Sequence, residues 1–184
     1  MRLRVIAGKA GGLPLESLEG KAIRPTAERV RAALFSILAP RIEGARFLDL
    51  YAGTGANGIE ALSRGANYAV FVERDKAAAE VIGRNLARTG FSSQSKCILG
   101  AMPEALDHVP MEEGSYSIVF ADPPYRAVDL CQLLIWVKER AILEKNGILI
   151  VEHAEPVGRL ADMESALRLV DMRKYGSTCL SFFS

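Results

Sequence analysis

Only three cysteines stand in 184 residues, Cys97, Cys131 and Cys179. They are widely spaced, odd in number and form no C-x-x-C, which argues against a disulfide framework and against structural zinc. They read as small buried apolar side chains in a reducing compartment. Histidine is scarcer still, with His108 and His153 alone. Neither has a neighbouring Ser or Cys in the sequence or a metal-ligand spacing, so both read as structural and no metal is expected. No apolar run approaches the roughly 18 residues of a membrane span. The opening segment MRLRVIAGKAGG has too short an apolar stretch for a secretory signal. A cytosolic chain with no membrane partner is expected. Repeats, low-complexity tracts and linkers are missing too, so residues 1–184 read as one domain. The net charge is only +1, which excludes a uniformly basic nucleic-acid coat.

The composition is that of an ordinary globular protein, 49% hydrophobic and 24% charged. Its charge is unevenly placed. Residues 1–46 hold nine Lys/Arg against four Asp/Glu, and the remainder hold fourteen against eighteen. A basic N-terminal part can meet phosphates locally.

Arg4–Ala7 and Leu13–Leu15 flank a glycine-rich turn and predict a short β-hairpin. Thr26, after Arg24-Pro25, reads as an N-cap. Val30, Ala33, Leu34, Ile37 and Leu38 then form one apolar helical face, with Arg29 and Arg31 off it. From Ala45 strand and helix signals alternate. Strands are expected at Phe47–Tyr51, Tyr68–Val72, Lys96–Leu99, Tyr116–Ala121 and Gly147–Glu152. Helices are expected at Gly58–Arg64, Lys76–Arg88, around Glu104–Asp107, and at Leu130–Arg140. Leu167–Lys174 and Thr178–Phe183 read as a closing antiparallel pair, with Phe182 and Phe183 on opposite faces, one in and one out. This alternation predicts an α/β fold, a parallel sheet covered by helices on both faces. Residues 1–44 form an N-terminal hairpin and helix, and residues 45–184 the core. Ligands in such sheets lie beyond the carboxyl ends of the strands.

The first such end carries Asp49-Leu50-Tyr51-Ala52-Gly53-Thr54-Gly55-Ala56-Asn57-Gly58. Its glycines let the backbone turn tightly and approach a ligand. They also satisfy G-x-G-x-x-G, so this loop alone does not choose between a dehydrogenase and a methyltransferase. Asp49 tilts the choice: a carboxylate there can accept from a ligand's ammonium but would repel a pyrophosphate. Glu73, eighteen residues beyond Gly55, ends the next strand and can accept ribose hydroxyls.

The sharpest signal follows the fourth strand of this core, at Asp122-Pro123-Pro124-Tyr125. Two prolines fix φ and remove two donors, which leaves the preceding carbonyls pointing outward. Asp122 adds acceptors beside them, and Tyr125 offers a flat face. The set forms a clamp for an amino group on an aromatic ring. Such an amine is a poor nucleophile because its lone pair is delocalised into the ring. Accepting its hydrogens at Asp122 and at the Pro123 carbonyl localises that pair. Stacking on Tyr125 is worth roughly 1–3 kcal/mol per base.

Taken in order, Asp49, Gly53-x-Gly55, Glu73 and Asp122–Tyr125 resemble the class I S-adenosylmethionine methyltransferases that act on amino groups. More narrowly, the chain resembles the bacterial small-subunit ribosomal RNA guanine-N2 methyltransferase family. The likeness runs nearly end to end and includes Arg4–Lys9, Arg24-Pro25-Thr26, Arg29-Val30-Arg31, Leu34-Phe35 and Glu60–Ala66. It implies a Rossmann-like seven-stranded sheet with an antiparallel C-terminal hairpin. It implies S-adenosylmethionine as cofactor, one guanine of 16S RNA in the small subunit as substrate, and a monomer. On that basis Asp49, Tyr51, Ala52, Gly53, Thr54, Gly55, Glu73, Arg74, Ala101 and Met102 are expected at the cofactor. Asp122, Pro123, Pro124 and Tyr125 are expected to hold the guanine. Arg4, Lys9, Arg24, Thr26, Arg29 and Arg31 are expected to face the RNA. Two departures stand out. Ala10, Gly11 and Leu13 occupy a turn that is usually more basic, and Gly100-Ala101 stands where an Asp or Asn often meets the adenine amine. Three rival readings remain: an adenine-N6 methyltransferase with the same clamp, a nicotinamide-dependent reductase, and a non-catalytic RNA-binding or assembly factor.

Overall fold

The computed structural model describes residues 3–18, 25–111, 115–124, 130–154 and 167–184. Arg24 and Tyr125, both expected at the site, lie outside them. The strands are β1 (Arg46–Leu50), β2 (Tyr68–Glu73), β3 (Ser95–Leu99), β4 (Tyr116–Ala121), β5 (Leu143–Ala154), β6 (Leu169–Tyr175) and β7 (Thr178–Phe183). They form one sheet in the order β3-β2-β1-β4-β5-β7-β6. The first five pair in parallel, and β7 runs antiparallel to both β5 and β6. This is the expected class I methyltransferase architecture.

The inner strands are apolar at nearly every position because both faces of the sheet are covered. Phe47, Ala69, Phe71, Ile118, Phe120 and Ile150 point into one core, under helices α1 (Pro25–Ile42), α2 (Ala56–Ser63) and α3 (Lys76–Thr89). Leu48, Leu50, Val70, Val72, Val119 and Val151 point into the other, under α4 (Leu130–Glu139) and a short 3-10 turn at Glu104–His108. Phe182 and Phe183 do alternate, but neither is out. Phe182 joins the first core and Phe183 the second.

Local chemistry sets the helix ends. The Asp75 carboxylate accepts from Ala77 N–H at 2.8 Å and opens α3, and Gly90 closes it at φ 78°. Helix α1 begins at Pro25, so Thr26 falls inside it rather than capping it. Proline suits the first helical position, where its missing N–H has no partner to lose. The buried side of α1 is also wider than the apolar stripe, because Arg31 joins Val30, Leu34, Phe35 and Leu38 inside. Strand β5 starts four residues earlier than its apolar pattern, through the polar and exposed Glu144-Lys145-Asn146. The register against β4 shifts there, between Tyr116 and Ile118.

The N-terminal hairpin is reduced to one bridge, Arg4 with Pro14, backed by Val5 N–H to Leu13 O at 3.0 Å. It is docked rather than free. Glu60, on α2 and fully buried, accepts from Ile6 N–H at 2.7 Å, Ala7 N–H at 3.1 Å and Arg64 Nε at 2.7 Å. Ser63 Oγ accepts from Ala10 N–H at 3.0 Å, and Ser63 O from Lys9 N–H at 2.7 Å. A Cβ on Gly8 would lie 1.9 Å from Ser63 O, so only glycine permits this approach. The Arg4–Lys9 and Glu60–Ala66 blocks are thus two halves of one contact.

Of the cysteines only Cys179 is buried. Cys97 is exposed on the edge strand β3 and Cys131 is half-buried, so the expectation of three buried thiols is corrected. His153 is buried and has a partner after all: its Nε2 lies 2.8 Å from Ser181 Oγ, brought there by β5–β7 pairing.

Candidate active site

Strand order reverses between β1 and β4, and there a crevice opens at the carboxyl ends of the strands. A cleft of about 210 Å³ occupies it. One wall is the loop after β1 with the start of α2, at Tyr51, Ala52, Gly53, Thr54, Ala56 and Asn57. Asp122 and Glu152 close the β4–β5 side, and Val30, Arg31 and Leu34 of α1 form the remaining wall. No helix among the described residues is long and apolar enough to cross a membrane.

The loop holds its shape through backbone strain and two carboxylates. Tyr51, Gly53 and Gly55 all have positive φ, at 62°, 57° and 77°. Gly53 N–H donates to Glu73 Oε2 at 2.7 Å, while Glu73 Oε1 accepts from Asp75 N–H at 2.9 Å. Gly58 N–H donates to Asp49 Oδ2 at 3.0 Å. Gly58 and Gly53 do different work. A Cβ on Gly58 would come within 2.3 Å of the Phe71 ring, so its absence lets α2 pack on β2. A Cβ on Gly53 would meet nothing within 4 Å, which leaves its surroundings open to a ligand.

The electrostatics are acidic. Asp49 is 1% exposed, and burial pushes its carboxyl well above the ordinary range. The hydrogen bond from Gly58 opposes this, and the nearby charges of Asp122 and Glu73 reinforce it. Such a group is relieved by a cation. Tyr51 is driven up to about 12 by burial, against the pull of Arg74, and its hydroxyl has no hydrogen-bond partner among the described residues. Among the described residues Arg31 is the one guanidinium in the cleft wall, 8% exposed. Its Nη2 donates to Arg4 O at 2.8 Å, and its Nε has no partner among the described residues. Burial lowers its affinity for the proton, and Glu60 and Glu28 partly restore it.

The expected residues divide by location. Tyr51, Ala52, Gly53, Thr54, Arg31 and Asp122 line the cleft. Gly55 and Glu73 support the loop from behind, and Asp49 is buried beneath it. Pro123 is buried and Pro124 exposed. Ala101 and Met102 follow β3, where Ala101 O accepts from Ala105 N–H at 2.9 Å. A Cβ on Gly100 would lie 3.1 Å from Ala105 Cβ, so a larger side chain there would crowd that turn. Arg4 pairs with Glu28 at 3.2 Å beside the start of α1, and Arg29 is exposed on α1. Lys9 is held at the far end of α2, away from the cleft. Glu152 and Asn57 line the cleft without having been singled out. Glu152 ends the apolar part of β5, so the rule of inspecting strand ends was sufficient to find it.

The family profile described as Conserved hypothetical protein 95 matches residues 3–184. Bacillus subtilis YlbH is 33% identical over 181 residues, which cover 98% of each chain. Escherichia coli Ribosomal RNA small subunit methyltransferase D is 34% identical over 151 residues, 82% of this chain and 74% of that one. Among solved structures, Escherichia coli yhhF superposes with a TM-score of 0.84 at 31% identity, over 100% of this chain and 97% of the other. The chain therefore belongs to the Conserved hypothetical protein 95 family, in company with the proteins named ribosomal RNA small subunit methyltransferase D.

Proposed function

We propose that this protein is an S-adenosylmethionine-dependent methyltransferase acting on ribosomal RNA, at the exocyclic N2 amine of one guanine in the 16S RNA of the small subunit. The observation that carries the reading is the cleft itself. A glycine loop with open space at Gly53 faces Asp122, and buried Asp49 lies among carboxylates that call for a cation. That environment fits the ammonium and sulfonium of the cofactor and disfavours a dinucleotide pyrophosphate. The name of the Escherichia coli relative supports ribosomal RNA as substrate.

When bound, S-adenosylmethionine supplies an electrophilic methyl group. Asp49 and the Tyr51–Gly55 backbone hold its amino-acid end, and Glu73 with Arg74 its ribose. Ala101 and Met102 flank its adenine. Asp122 and the Pro123 carbonyl accept the two hydrogens of the guanine amine, and Tyr125 stacks on the base. Fixing that nitrogen in one orientation removes much of the entropic barrier to transfer. A paired or stacked guanine must first be swung out. Arg31 reaches the substrate from the cleft wall. Thr26 and Arg29 at the start of α1, together with Arg24, Arg4 and Lys9, meet the RNA outside the cleft. Residues 1–184 act as one domain, with 1–44 docked on a catalytic core of 45–184.

The test is radiolabelled methyl transfer to small subunits lacking the modification, naked 16S RNA, duplex DNA and a protein control. N2-methylguanosine in RNA, lost in Asp122→Ala with cofactor binding retained, is the expected result. Label on adenine or in DNA would discard the substrate and keep the clamp. Cofactor binding without transfer to any acceptor would favour a binding or assembly factor.

A further inference from the structure

Asp122 has a second carboxylate beside it. Ala121 and Val151 are register partners in the parallel β4–β5 pair, and both point into the second core. The next residue on each strand is therefore Asp122 and Glu152, side by side. Both line the cleft opposite Val30, Arg31 and Leu34, and Glu152 is half-buried. Nothing in the amine clamp uses Glu152.

Three nucleic-acid bases carry an exocyclic amine, and they differ in the ring atoms next to it. Adenine N6 is flanked by N1, an acceptor, and by a ring-fusion carbon. Cytosine N4 is flanked by N3, an acceptor, and by a C–H. Guanine N2 alone is flanked by a ring N–H, at N1. An ionised carboxylate only accepts hydrogen bonds. Placed beside the group that anchors the amine, it gains a bond from guanine and meets the lone pair of adenine or cytosine. A buried polar group left unmatched discriminates more strongly than a change of shape does.

We propose that Glu152 accepts the N1–H of the guanine whose amine Asp122 holds, and that it selects guanine over adenine. This rests on the guanine-N2 reading above. It assigns to one side chain the choice that the amine clamp cannot make by itself.

The test uses the full chain and RNA carrying guanine, adenine or 2-aminopurine at the position that the wild type labels. 2-Aminopurine keeps the amine but has an acceptor at N1. Wild-type protein is expected to lose about a hundredfold in kcat/KM on 2-aminopurine RNA, the scale of one hydrogen bond to a charged group. Glu152→Gln is expected to lose a smaller factor on guanine, about tenfold, because its amide oxygen still accepts N1–H without the charge, and to gain on 2-aminopurine and adenine, because its NH2 can donate to N1. Its dissociation constant for S-adenosylmethionine, measured by calorimetry, stays that of the wild type. Wild-type activity unaffected by 2-aminopurine would overturn the assignment, whatever the variant does. A variant with wild-type rate and selectivity on guanine would overturn it as well, while N2-methylguanosine from the wild type left the proposed function standing. Wild-type label on adenine, or on no base, would remove both.

Discussion

Two carboxylates are buried against α2, and they are equipped differently. Glu60 accepts three hydrogen bonds, two from the N-terminal hairpin and one from Arg64, whose guanidinium also lies 5.3 Å from the centre of the Phe35 ring. Asp49 accepts one bond among the described residues, from Gly58 in the first turn of the helix, and feels the charges of Asp122 and Glu73. Burying a charge is tolerable only when partners compensate for the lost water. Glu60 finds its compensation within the chain and fastens the hairpin to the core. Asp49 has less compensation among the described residues, and in the proposed function the ammonium of S-adenosylmethionine completes it. The same chemistry therefore serves architecture at Glu60 and, in the proposed function, ligand binding at Asp49.

The largest expected effect lies on the architectural side. Glu60→Ala strands the Ile6 and Ala7 amides and the Arg64 charge, and should cost about 3–5 kcal/mol by urea denaturation. The cofactor affinity of the folded fraction should be unchanged. A loss below about 1 kcal/mol would mean that the hairpin contact carries little weight.

Asp49→Asn should show the opposite pattern, and weaken S-adenosylmethionine binding roughly 10- to 100-fold, on the scale of one charge-assisted bond. Its stability should move the other way. The carboxyl of Asp49 is raised in the folded state above its ordinary 3.8. The folded protein therefore holds this proton more tightly than the unfolded chain does. The resulting stability is present in full below the ordinary value and is lost as pH rises through the raised one. The variant escapes that loss, so it should melt above the wild type at neutral pH and converge with it near pH 4. Equal melting curves at every pH would show that Asp49 carries no burial cost.

The smallest effect is expected at Tyr51→Phe. The hydroxyl has no partner among the described residues, so its removal should leave stability unchanged or raise it by up to about 1 kcal/mol. A clear drop in melting temperature would reveal a bond made by that oxygen.

Much of this was legible because it is local. The strands and α3 follow from apolar runs and from capping by Asp75 and Gly90, and β7 was expected at its observed bounds. The glycine loop, Glu73 and Asp122 announce themselves by spacing along short stretches. What escaped was tertiary. Arg31 is off the apolar stripe of α1, and it is inside because the hairpin folds over it and offers the Arg4 carbonyl. His153 and Ser181 meet only through the β5–β7 pairing. The polar start of β5 has no periodic signal, since it is a strand by pairing rather than by burial. Glu152 stands at a legible strand end, but its place beside Asp122 comes from the register of β4 against β5, which no single segment encodes.

The position of β7 has a consequence for how the molecule is made. Strand β6 touches the sheet only through β7, and β7 is translated after it. While a ribosome is still emitting residues 178–183, β5 presents a bare edge and β6 has nothing to join. Both cores also wait, one for Phe182 and the other for Phe183. The nascent chain can assemble its glycine loop early, since β1, β2 and α2 are already out. It can seal neither face until those side chains arrive, so the order of synthesis leaves a late-closing seam one strand in from the rim of the sheet.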